Sequence, residues 1–152
     1  LPISTIGNYS FNNCSSLTSI TVNDNNQYYS SDENGVMYNK NKTTLLQYPI
    51  GITETTYTIP STVKIIGQSA FSQANPLLTT ITLPDQLQEK KKNAFESSGI
   101  TSITIPSNVA SIDLSPFAGC INLKSINVDV NNTSYKDINF IYFNSNANSI
   151  CR

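Results

Sequence analysis

The chain has 152 residues, about one domain's worth, with 38% apolar and only 12% charged side chains and a formal net charge of −1. That balance excludes a strongly basic nucleic-acid or membrane-surface binder, and the lack of any His excludes His triads, His metal ligands and an imidazole switch. Polarity comes instead from 20 Asn, 20 Ser and 16 Thr, and no apolar run approaches the roughly 18 residues of a membrane-spanning helix.

The first predicted unit runs from Ile3 to Val22. An aliphatic residue, Ile3, precedes Phe11 by eight positions, and Leu17, Ile20 and Val22 follow in the pattern L-x-x-I-x-V. Alternation at the last two positions predicts a strand with one buried face. Residues 23–58 interrupt the rhythm. Two strand-like pieces, 35–40 and 43–49, flank the polar turn Asn39-Lys40-Asn41-Lys42, so a protruding β-hairpin is predicted. Thr56-Tyr57-Thr58-Ile59 re-enters the strand pattern and Pro60 ends it, since a residue without an N–H interrupts a ladder.

The unit then recurs. Val63 leads to Phe71, then Leu78, Ile81, Leu83 and Pro84; Leu87 leads to Phe95, then Ile100, Ile103, Ile105 and Pro106. Val109 leads to Phe117, then Leu123, Ile126 and Val128. Phe71, Phe95 and Phe117 follow one another at 24 and 22 residues, within the period of leucine-rich repeats. Residues 129–152 restart the interruption: Asn131-Asn132 echoes Asn25-Asn26, Tyr135 echoes Tyr29, and 141–144 echo 36–39. This second copy lacks a counterpart of 43–49, so its end is expected to fray. Beginning at Leu1 and stopping at Arg152, the chain reads as one solenoid, 1–152, cut from a longer array, with insertions at 23–58 and 129–152.

One unit cannot bury its Phe and aliphatics alone, whereas stacked units can. The expected fold is an α/β leucine-rich-repeat solenoid, mostly β. A parallel sheet lines its concave face, and short helical turns or loops carrying the Phe residues line the convex side.

Residues Ile66 to Phe71 (Ile-Gly-x-x-Ala-Phe), followed by Leu-x-x-Ile-x-Leu-Pro, resemble BspA-like leucine-rich repeats; so does the stretch from Asp32 to Pro49. The resemblance spans nearly the whole chain, although Lys90-Lys91 stands where the pattern wants Ile-Gly. It implies a protein of a bacterial or parasite surface, displayed or secreted, that adheres to host or extracellular-matrix proteins. It brings no catalytic residues, cofactor or metal with it. A monomer is expected, with open solenoid ends able to associate end to end.

The outward strand positions are Ser19 and Thr21, Thr80 and Thr82, Ser102 and Thr104, and Ser125 and Asn127. Stacked, they make two rows of polar side chains. These form either a plain solvent-facing strand surface or the contact face that solenoids present to partners. Ice binding would need a flatter, more regular stack. Tyrosines concentrate in 28–57, and Tyr28 and Tyr29 are the expected exposed pair, candidates for the same contact surface. Cys14 and Cys120 hold one position in different units, about 20 Å apart by strand spacing, and are expected to be buried thiols rather than a disulfide. Cys151 aligns with an aliphatic position. Asp24, Asp32 and Glu33 lack the spacing of a calcium loop or a carboxylate pair and are expected to be turn residues. Lys90-Lys91-Lys92 reads as a solvated triplet of a drifted repeat. Lys90 nevertheless takes the position of Ile66 and Ile112, so Lys90→Ile is expected to raise the melting temperature. N-x-Ser/Thr sequons at Asn8, Asn13, Asn41, Asn131 and Asn132 are as many as this composition yields by chance. The competing readings are a carboxylate-based carbohydrate-active solenoid and an intracellular scaffold.

Overall fold

The computed structural model describes residues 3–7, 9–112 and 116–135. The long first stretch contributes β1 (Tyr29–Ser31), β2 (Met37–Asn39), β3 (Thr44–Gln47) and β4 (Thr56–Thr58). Each later unit then adds one very short and one longer strand: β5 (Ile65–Ile66) with β6 (Thr80–Thr82), β7 (Glu89–Lys90) with β8 (Ser102–Ile105), and β9 (Ser111–Ile112) with β10 (Ser125–Val128). The coils stack two sheets at once. β4, β6, β8 and β10 pair parallel in sequence order, while β3, β5, β7 and β9 form a second parallel ladder that β2 and β1 extend antiparallel. The stack is a mostly-β solenoid, as the repeat pattern implies.

Like side chains lie over like side chains. The rings of Tyr48, Phe71, Phe95 and Phe117 form one ladder, with successive centroids 5.1, 5.4 and 5.5 Å apart and the last pair tilted by only 14°. That spacing is close to the roughly 4.8 Å between hydrogen-bonded strands, so each coil contributes one ring. The backbone repeats the match: the N–H groups of Tyr48, Phe71 and Phe95 donate to Ala70, Ala94 and Pro116 of the following coil. Tyr48 thus plays the Phe role for the hairpin-bearing coil. Around the ladder, Val63, Leu87 and Val109 are buried, as are Leu78, Ile100 and Leu123 and the inward-facing Tyr57, Ile81, Ile103 and Ile126.

The segment bearing each Phe is a tight turn, and the described residues contain no helix, hence none long and apolar enough to cross a membrane. The reason is a repeated pair of left-handed residues on either side of the ring: Tyr9 and Asn13 around Phe11, Ser69 and Gln73 around Phe71, Asn93 and Ser97 around Phe95, with Gly119 after Phe117. Two positive φ values within five residues stop a right-handed helical turn from closing.

The predicted hairpin forms across β2 and β3, but it does not protrude. β3 joins the stack by pairing parallel with β5, and Tyr38 in β2 is fully buried. Its turn is tied by Asn39, whose Oδ1 accepts the N–H groups of Thr43 and Thr44 at 2.8 and 2.9 Å. The first unit is the least buried. Phe11 and Leu17 are only half-buried and Ile3 is 64% exposed.

Candidate functional site

The outward face of β4, β6, β8 and β10 brings the polar rows together. Thr56 lies opposite Thr80, Thr80 opposite Ser102, and Ser102 opposite Ser125. In the second row Thr58 lies opposite Thr82, and Thr104 opposite Asn127. Strand alternation explains the arrangement, since Tyr57, Ile81, Ile103 and Ile126 between them point inward and are buried. Just before the strands, the Thr79 and Thr101 hydroxyls each donate to the Thr carbonyl of the preceding coil at 3.3 Å, which steadies that end of the face. A shallow depression of about 250 Å³ opens over Thr80, Thr82, Ser102 and Thr104, with Asp85 and Asp129 at its rim.

Thr56 and Thr58 are functional candidates that the row assignment overlooks. Their signal is present in Thr56-Tyr57-Thr58-Ile59-Pro60, which matches Thr80-Ile81-Thr82-Leu83-Pro84 residue for residue in pattern. Ser19 and Thr21 are exposed but belong to no strand of this sheet. The Ile20 N–H donates instead to the Gly35 carbonyl at 2.9 Å, and the 32–36 segment also reaches β4 through Asp32 and Tyr57. Thr21 lines a different feature, an apolar hollow of about 560 Å³ at the start of the stack with Ile3, Ile6, Phe11 and Met37.

Tyr28 is 51% exposed, as expected, but Tyr29 is half-buried and its hydroxyl donates to the Ser4 carbonyl at 3.2 Å. The segment is held by Asn26, whose Oδ1 accepts the N–H groups of Tyr28 and Tyr29 while its Nδ2 donates to the Ile3 carbonyl. Asn132 repeats this clamp, accepting from Ser134 and Tyr135 and donating to the Pro106 and Val109 carbonyls. The echo between the two insertions is therefore structural up to Tyr135. The rest of the second insertion, including Cys151, lies outside the described residues.

Tyr38, Tyr48 and Tyr57 are structural. The Tyr38 and Tyr57 hydroxyls and Asp32 Oδ2 form a triangle, each hydroxyl within reach of the other and of the carboxylate oxygen at 3.0 and 2.9 Å, and their two protons are shared among these three contacts. Asp32 Oδ1 in turn accepts the N–H groups of Asn34 and Val36. Burial pushes both phenols above the usual tyrosine range, with the nearby Asp32 charge adding to it; burial likewise pushes Tyr48 up to about 12. These hydroxyls stay protonated. Asp32 is thus a turn residue, as expected, and it is also the anchor between insertion and stack.

Cys14 is exposed, not buried, because its unit is the first of the described stack and its equivalents Ala74, Ser98 and Cys120 are covered by neighbouring coils. Cys120 is buried as expected, and its Sγ donates to the Phe95 carbonyl at 2.9 Å; burial raises this thiol's pKa. The lysine triplet is not uniformly solvated. Lys91 and Lys92 are exposed, and Lys91 pairs with Glu89 at 2.6 Å, but Lys90 is 1% exposed. Register explains it, because Lys90 pairs with Ile66 on one side and Ile112 on the other. No group of three or more His, Cys, Asp or Glu that could hold a metal occurs among the described residues.

Parallel coils, one aromatic ring per coil and a polar outward face define a leucine-rich-repeat solenoid. The model of the BspA-type leucine-rich repeat region matches residues 2–56 and 51–151 in six copies, and the chain belongs to that family. A leucine-rich repeat protein from Eubacterium ventriosum is 38% identical over 83% of this chain, with a TM-score of 0.71; the chain spans 32% of that protein's length. A leucine-rich repeat protein from Bacteroides capillosus shares the fold at 25% identity and TM-score 0.51, covering 74% of this chain and 77% of that one. A leucine-rich cell surface protein from Faecalibacterium prausnitzii does so at 24% and 0.53, covering 82% and 39%. No match was found among curated proteins.

Proposed function

We propose that this chain is a non-enzymatic binding module of a repeat protein displayed at or secreted from the cell surface, and that it adheres to a host or extracellular-matrix protein. The observation that carries the reading is the uncharged two-row face of β4, β6, β8 and β10. Its side chains are short, project from a rigid ladder and surround an open depression, so a partner can approach without ordering flexible lysines or arginines. The description of the Faecalibacterium relative as a cell surface protein supports the location. Thr56 and Thr58 extend the contact surface on one side. Tyr28 remains an exposed aromatic of the insertion, while Ser19 and Thr21 belong to its margin.

The test uses immobilised plasma and extracellular-matrix proteins probed with the wild-type chain and with Thr80→Arg, Thr82→Arg and Thr104→Arg. These positions are exposed, so the variants should fold with nearly unchanged melting temperatures. At least one immobilised protein should retain the wild type and lose the variants by tenfold or more in affinity. Retention that survives all three changes would move the contact surface off this sheet. An intact cell whose parent protein resists surface biotinylation would remove the adhesive role.

A further inference from the structure

Among the described residues Lys90 is the one charged side chain in the core. It sits in β7, in the middle of the β5-β7-β9 ladder, with Ile66 and Ile112 in register on either side. Its Nζ has no hydrogen-bond partner and lies 5.4 Å from the centre of the Phe117 ring. An ammonium in such a place keeps only a ring quadrupole in exchange for its hydration, so the neutral amine is favoured there. At 1% exposure the amine cannot meet a dissolved substrate, which leaves proton uptake as the chemistry open to it.

Among the described residues no charge offsets a proton on Lys90. On its own strand Glu89 points to the opposite face and is bonded to Lys91, and Lys92 is exposed. On the β5 side the nearest charged residue in sequence is Lys64, which is exposed; β9 itself offers Ser111 and Ile112. Asp113, the next residue, takes the sequence position of Lys91 and lies outside the described residues. From the Phe-bearing turns come the Phe95 and Phe117 rings, the half-buried Glu96 and the Cys120 thiol, whose pKa burial raises.

We propose that Lys90 makes the solenoid a pH-sensitive joint: protonation places an unpaired charge in the buried middle strand of the β5-β7-β9 ladder and loosens the coils on either side of β7. The joint is held by backbone bonds from Lys91 N–H to the Ile66 carbonyl and from Phe95 N–H to the Pro116 carbonyl, both 3.0 Å. Loosening there also weakens the β6–β8 and β8–β10 pairings of the same coils, which interrupts the Thr-lined face on both sides of β8. The joint stands on the core geometry alone, whatever that face binds.

Burial pushes the Lys90 ammonium down to about 7, against 10.5 when unfolded. Between those values the unfolded chain holds a proton that the folded chain does not, so stability rises with pH in that window and is lowest below about 7. The test compares urea unfolding of the wild type with Lys90→Met and Lys91→Met from pH 6 to 9.5. The ratio of the wild-type unfolding constant to that of Lys90→Met should rise about tenfold for each unit of falling pH, then level off below about 7. Lys91 is exposed, so the corresponding ratio for Lys91→Met should stay flat. A ratio for Lys90→Met that does not change with pH overturns the proposal, as does an equal slope for Lys91→Met. Should Lys90→Met fail to fold, Lys90→Ile, which matches both register neighbours, serves in its place.

Discussion

Phe71 lies between Tyr48 and Phe95, with ring centroids 5.1 and 5.4 Å away, and is fully buried. Truncating it removes three ring contacts, to Tyr48, Tyr57 and Phe95, and leaves a cavity that the ladder cannot collapse into, so Phe71→Ala should cost about 3–5 kcal/mol. Phe11 occupies the same place in its unit but is half-buried, and Phe11→Ala should cost only about 1–2 kcal/mol; urea unfolding of both variants checks the contrast. The ladder was legible from residue identity and spacing, because a Phe every 22 or 24 residues has no other cheap use. Tyr48 was not, since its position falls outside the Ala-Phe pattern and its hydroxyl disguises a core ring. Cys14 misleads for the opposite reason: its type and alignment match Cys120, but exposure depends on whether a coil lies above it, which one residue's identity does not encode. The burial of Lys90 could be read from alignment with Ile66 and Ile112, against the pull of its charge and of its exposed neighbours.

Elements come next. Gly35 marks where the insertion passes the first unit: its φ is +75°, and a Cβ there would stand 2.4 Å from Ser19 Cβ and 2.6 Å from Ser19 Cα. Both the left-handed backbone and the backbone contact oppose any side chain, so Gly35→Ala should destabilise by about 2–4 kcal/mol in urea or thermal unfolding. Little change would mean that the 32–36 segment packs elsewhere. The hairpin was readable in outline from its polar turn between apolar pieces, and the Asn39 side chain explains why the turn closes there. The ladder of β3, β5, β7 and β9 was hidden because three of its strands are two residues long, too short for period-2 alternation to declare itself. Of the two forms expected for the convex segments, loops rather than helical turns occur, because Ser69, Gln73, Asn93 and Ser97 are held at positive φ, and of these only Asn93 is of a residue type that favours it.

For the whole molecule, the backbone bonds run from each coil to the next, with Gln68 and Gln73 also reaching back to Tyr9 and Asn13 of the first unit, so perturbations should decay along the stack. Phe117→Ala should speed hydrogen exchange at Lys124 and Asp129, whose N–H groups bond to Thr101 and Ile105, while Gly67, bonded to Leu45, stays protected. Uniform acceleration across these amides would instead indicate one all-or-none unit. From the hairpin-bearing coil onward the same bond joins successive coils, from a ring-bearing residue to the residue just before the next ring: Tyr48 to Ala70, Phe71 to Ala94, Phe95 to Pro116. Because that seam is identical wherever it falls, recombination between tandem copies in the gene can add or drop a complete coil while each remaining one still finds a matching docking edge. Reach can thus be lengthened or shortened over generations without redesigning any interior, whereas a cut made partway through a coil would leave a ring with nothing to lie against.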